Sequence, residues 1–162
     1  MSIEIERPRP LVAQFSKPFS LVVEQSQALS ACLAACRYGW INQSVRKGLF
    51  CAEENQDGRY EAMYLSANRG MRDVEVERVV ACEGGLRPWK LGTFQHLLAD
   101  AAIENEVNRV RPVAALGSVA RVGSDNYYAY SYLGGEKRVV GIQLSSMRWL
   151  ENVSFLVVRR VL

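Results

Sequence analysis

Two tight turn signals and one longer connection cut residues 113–161 into four runs rich in β-branched and aromatic side chains. This punctuation constrains the fold more than any other feature of the chain. Val113 to Val122 leads into Gly123-Ser124-Asp125-Asn126, and Tyr127 to Leu133 leads into Gly134-Gly135-Glu136. Lys137 to Leu144 follows, then the connection Ser145 to Asn152, then Val153 to Val161. Glycine and Asp/Asn supply the positive-φ backbone that hairpin turns need, and the runs between them suit a pleated surface. The pattern predicts an antiparallel four-stranded β-meander from Pro112 to Leu162.

The rest of the chain reads as helices and short strands. Residues 24–38 hold good helix formers with no interior Gly or Pro, and Leu29, Cys32, Leu33 and Cys36 share one helical face. Gly39 is a natural stop, with a short second helix from Trp40 to Lys47. Thr93 starts a long central helix that Pro112 ends. Phe94, Leu97, Leu98 and Ala101 form its core face, while Ile103 and Val107 fall roughly 180–220° away at 3.6 residues per turn. That helix is expected to be covered on two sides. In between, Asp57-Gly58 predicts a hairpin pairing Leu49–Ala52 with Arg59–Ser66. The alternation Asp73-Val74-Glu75-Val76-Glu77 predicts a strand with Glu75 and Glu77 on its wet face. Residues 1–23 read as an extended arm, because Pro8, Pro10 and Pro18 exclude a helix interior. Leu11 to Phe15 and Phe19 to Val23 are its two strand-like stretches.

With 162 residues, 49% of them hydrophobic and 23% charged, the chain fits a single α+β domain at 24–162 behind the arm at 1–23. The expected fold is an N-terminal helix and a long central helix packed on an antiparallel sheet that ends in the meander. This element order, over residues 24–162, resembles the cone-shaped α+β fold of nuclear transport factor 2 and ketosteroid isomerase. The resemblance implies a curved sheet wrapped around the long helix, with a pocket between them. It rests on element order and assigns no residue a role.

Charge and cysteine usage narrow the setting. Residues 1–108 hold 12 Lys/Arg and 14 Asp/Glu, whereas residues 109–162 hold 8 and 3, so the meander is the basic part. A total of only +3 argues against a nucleic-acid partner. No stretch approaches the ~18 apolar residues that span a bilayer, so no membrane partner is expected. The acidic start and the lack of an apolar leader point to the cytoplasm. There Cys32, Cys36, Cys51 and Cys82 are expected to be buried free thiols. Cys32 and Cys36 have a helical spacing that suits two metal ligands, but Cys51 and Cys82 do not complete a zinc knuckle. No metal or other cofactor is expected.

Two groups of side chains are candidates for chemistry. Tyr128, Tyr130 and Tyr132 alternate, so they face one side of their strand and offer aromatic surface to a ligand. Ala129, Ser131 and Leu133 face the other side, the expected core face. His96 is the only histidine and sits four residues before Asp100, a spacing at which a carboxylate can orient an imidazole. Trp89, in the loop before that helix, joins the ligand-facing set. No nucleophile, phosphate loop or dinucleotide fingerprint accompanies them. The sequence therefore predicts a small non-catalytic binding or adaptor domain that forms homo-oligomers, most simply a homodimer. The alternative is a cone-type small-molecule-binding protein or enzyme, its pocket between the long helix and the C-terminal sheet.

Overall fold

The structure, a computed structural model, describes residues 9–24, 38–42, 50, 57–82, 88–103 and 105–161. Nine strands lie among them: β1 (Ala13–Phe15), β2 (Phe19–Val23), β3 (Tyr38–Ile41), β4 (Gly58–Ala67), β5 (Lys90–Leu91), β6 (Val113–Val122), β7 (Asp125–Gly134), β8 (Lys137–Leu144) and β9 (Ser154–Arg160). Three helices accompany them: α1 (Asp73–Cys82), α2 (Phe94–Ile103) and α3 (Glu106–Val110). No helix among the described residues is long and apolar enough to cross a membrane.

The strands form one mixed sheet in the order β1-β4-β9-β6-β7-β8-β3, with β2 also on β4 and β5 also on β9. The four-stranded meander is therefore corrected to three strands, β6, β7 and β8. The fourth run, β9, crosses back to lie parallel to β6 and antiparallel to β4. Its composition explains the move. Phe155, Leu156, Val157 and Val158 are all buried, so β9 needs cover on both faces and pairing on both edges. An edge position beside β8 would leave half of that run in water. The second edge of β9 is shared: Val113 and Ala114 of β6 pair with its start, and Lys90 and Leu91 of β5 with its later part. For β5 to enter there, β6 must swing away, and its register breaks between Ala115 and Ala120. Gly117 sits in that break. An added Cβ would lie 2.4 Å from the Leu91 carbonyl oxygen and 2.7 Å from that of Gly92, so only glycine fits.

Both faces of the sheet are core. On one side Tyr60, Ala62, Tyr64, Val113, Ala115, Ala129, Val140, Leu156 and Val158 pack with Phe94, Leu97, Leu98 and Ala101 of α2. On the other, Met63, Leu65, Ala114, Leu116, Tyr128, Phe155 and Val157 pack with Val76 and Val80 of α1, together with Trp89 and Trp149. Strands β4, β6, β7 and β9 thus send alternate residues to opposite cores. This corrects the expected fold class. The central helix is ten residues long rather than reaching to Pro112, the sheet has two parallel pairings, and helices sit on both faces. The cone-like arrangement falls with it.

Local expectations are corrected for physical reasons too. Residues 73–80 are helical, because only five residues of strict alternation precede Arg78-Val79-Val80. Val76 and Val80, four apart, bury together, while Val74 is left exposed. Arg69 supports the first turn by bonding Glu75, which holds that carboxyl below its usual range. Tyr38 to Ile41 forms a parallel edge strand on β8, replacing the expected helix stop at Gly39 and the start of a second helix. The predicted helix face Leu29 to Cys36 and the hairpin arm Leu49–Ala52 with Cys51 lie outside the described residues, except Phe50, which is buried. Cys82 is exposed at the end of α1 rather than buried. In the arm, β1 and β2 both pair antiparallel with β4, in line, on the edge away from β9.

Candidate functional site

Helix α2 ends where its sequence turns polar. Asn105 then starts α3 with extended backbone, and its side-chain oxygen accepts from the Val107 and Asn108 amides. That break brings three α2–α3 side chains, Asp100, Asn105 and Asn108, to one place. Tyr64 of β4 donates its hydroxyl hydrogen to Asp100 Oδ1 in a short bond, and accepts from Asn105 Nδ2. Asn108 Nδ2 donates to the Asp100 main-chain oxygen at 2.9 Å and to Asp100 Oδ2 at 3.3 Å. From β8, Arg138 donates to the Asn108 main-chain oxygen at 2.9 Å and to Asn108 Oδ1 at 2.7 Å. Asn108 thus relays between a carboxylate and a guanidinium, each only 1–2% exposed.

The electrostatics follow from burial. Loss of water pushes the Asp100 carboxyl up to about 6, against the opposing hydrogen bonds of Tyr64 and Asn108 and the charge of Arg138. Burial also raises the Tyr64 hydroxyl well above its usual range, with Asp100 adding to the rise, so the phenol stays protonated. This network joins β4, α2, α3 and β8 under the break. Both carboxylate oxygens of Asp100 are engaged by side chains of the same network. What it can do chemically is hold a proton internally.

His96 is separate from it. The expected His96–Asp100 pair does not form. His96 Nδ1 instead accepts from the Thr93 amide at 2.9 Å and lies 2.8 Å from Thr93 Oγ1. The imidazole thereby takes the place that Glu or Gln holds in a capping box, and Ser118 Oγ accepts from the Phe94 amide. Thr93 is a helix start as the sequence implied, with a different exchange of bonds. The ring packs edge-on to Tyr60 at 4.3 Å. Burial and then the charge of Arg160 lower the imidazole to about 4, so it is neutral near pH 7.

The other predicted residues lie across the sheet. Trp89 is buried in the α1-side core, with the Arg159 guanidinium 4.5 Å over its ring, and Arg159 also pairs with Glu61. Tyr128 is buried there and donates to Asp73 Oδ2 at 3.0 Å; burial and the Asp73 contact raise its hydroxyl. Tyr130 packs edge-on to Trp149 at 6.1 Å and near-parallel to Tyr132, also at 6.1 Å. Tyr130 leans over Gly141, its partner on β8, where an added Cβ would lie 2.7 Å from the ring tip. Tyr130 and Tyr132 remain half-buried. The sheet thus divides the six predicted residues: His96 and Asp100 on the α2 side, Trp89 and the three tyrosines on the α1 side. Among the described residues, no three His, Cys, Asp or Glu side chains converge as metal ligands would.

Sequence reasoning missed Tyr64, Asn105, Asn108 and the inward role of Arg138. Asn105 carried a signal, since Asn followed by Glu106 is a helix-start pattern. Arg138 shares strand parity with Val140, the deepest β8 residue, and that pointed it inward. In comparisons with known proteins, the chain matches no family model, and neither curated proteins nor solved structures give a match.

Proposed function

We propose that this protein is a non-catalytic binding module that assembles through the β2 edge of its sheet, with a second copy as the partner strand. The observation that carries this reading is the edge itself. β2 is Phe19-Ser20-Leu21-Val22-Val23, without a charge or an internal proline, and Val22 is 54% exposed. Among the described residues β2 pairs only with β4. An edge strand of this composition favours pairing with another extended chain, because charges, prolines and bulges are what usually block it. Two-fold antiparallel pairing centred on Leu21 sets Phe19 of each copy opposite Val23 of the other. Such aromatic–β-branched cross-strand pairs stabilise a sheet by roughly 0.2–1 kcal/mol each. No like charges are opposed. The internal engagement of Asp100 and the structural role of His96 support the non-catalytic part.

Light scattering across a concentration series tests the proposal. A dimer is expected, and Val22→Lys is expected to shift it to monomer. Because dissociation itself lowers apparent thermal stability, retention of the fold is read from circular dichroism below the transition, which should match wild type for a side chain more than half exposed. A wild-type monomer at every concentration refutes the assembly.

A second reading, small-molecule binding, draws on the half-buried Tyr130–Tyr132 pair, whose rings lie within 14° of parallel. Tyrosine fluorescence quenched by a planar ligand in the wild type, and unaltered by it in Tyr132→Ala, would favour this reading.

A further inference from the structure

Among the described residues, two buried polar atoms near the Asp100 network have no hydrogen-bond partner: Ser131 Oγ and Arg138 Nε. Both residues are almost wholly buried, at 1% and 2% exposure. Leaving such an atom without a partner costs about 1–3 kcal/mol, so native interiors rarely do it. The register puts the two together. On adjacent strands, Ser131 is opposite Val140 and Leu133 is opposite Arg138, so Ser131 and Arg138 are diagonal neighbours on one face. The Arg138 side chain must also lean toward β7, because its guanidinium ends on Asn108 of α3 and α3 packs against β7. That lean carries the stem of the guanidinium over β7 on the face that Ser131 shares. Arg138 Nε is a donor only, and the serine hydroxyl both donates and accepts.

We infer that one internal water molecule is bound between Ser131 Oγ and Arg138 Nε, accepting from the guanidinium and exchanging a hydrogen bond with the hydroxyl. Water fits both partners because it can accept from the guanidinium and also donate to, or accept from, the hydroxyl. It completes the bonding of the guanidinium that ties α3 to β8, and so helps to hold Asn108 against Asp100. This site depends on neither functional reading above.

A high-resolution crystal structure of the full chain tests it. The expected result is one ordered solvent peak about 2.7–3.2 Å from both atoms, the ordinary hydrogen-bond range. In Ser131→Ala the peak is expected to be lost or to move, with the Arg138–Asn108 bonds retained. Should that variant fail to fold, a solution measurement on the wild type decides: a long-lived water cross-peak to Arg138 Hε supports the site. Direct bonding of either atom to a protein group, two separate solvent peaks, or a non-water ion at the position would each overturn it.

Discussion

His96 and Asp100 pull the pH dependence of stability in opposite directions, and single variants should separate them. Asp100 ordinarily titrates at 3.8 and in the fold at about 6. Its folded value is raised, so the stability it contributes is fully present below 3.8 and is lost as pH rises through about 6. The gap is worth ~3 kcal/mol at about 1.4 kcal/mol per pH unit. His96 ordinarily titrates at 6.5 and in the fold at about 4. Its folded value is depressed, so its contribution is fully present above 6.5 and is lost as pH falls through about 4. That gap is also worth ~3 kcal/mol on the same scale. Between about pH 4 and 6 the unfolded state binds the histidine proton that the native state refuses. The native state binds the Asp100 proton that the unfolded state has released. The two slopes cancel there.

Urea unfolding at half-unit steps from pH 4 to 7 is the assay. The wild type is expected to be nearly flat from these two groups. Asp100→Asn removes one slope, so stability should then climb with pH, by ~1.4 kcal/mol per unit at its steepest. His96→Gln keeps an acceptor for the Thr93 amide and should show the reverse, a fall from pH 4 to 6. Curves for Asp100→Asn that run parallel to wild type throughout would refute the claim that burial holds a proton on this carboxyl.

The backbone constraints give two further expectations. Gly117→Ala forces a Cβ against two main-chain carbonyls and should lower unfolding free energy by at least ~1–3 kcal/mol in urea melts; Gly123→Ala meets no heavy atom within 4 Å, so its cost is confined to the left-handed backbone at φ 64°, roughly 1–2 kcal/mol. Gly141→Ala meets only the tip of Tyr130, so its cost of ~1–3 kcal/mol should largely vanish in the Tyr130→Ala background when a double-mutant cycle is measured.

How much of this was legible beforehand varies by element, for identifiable reasons. The β6–β7–β8 hairpins followed from turn chemistry, because Gly123 and Gly135 adopt positive φ within a few residues of the strands they join. The α2 core face Phe94, Leu97, Leu98 and Ala101 followed from helical spacing and packs as that spacing requires. The place of β9 was written in its composition but needed the right reading: an unbroken apolar run marks an interior strand, whereas strand counting placed it at the end of a meander. The 73–80 segment shows the limit of local pattern, since five alternating residues fit both periods and only the burial of Val76 with Val80 settled it.

The candidate site was less legible. Its members come from β4, α2, α3 and β8, separated by up to seventy-four residues between Tyr64 and Arg138. No local spacing can announce that Asn108 stands between Asp100 and Arg138. The i, i+4 spacing offered His96 as Asp100's partner, but the helix start claimed the imidazole first, because the Thr93 amide had no partner within the helix. Sequence alone thus determined the β6–β7–β8 hairpins and the apolar face of α2, since these depend on turn stereochemistry and periodicity, whereas it misassigned residues 73–80 and 38–41. Tertiary structure alone decided strand order, the two-sided core and the pairing of buried charges. Those depend on which distant segments can satisfy one another once water has been excluded.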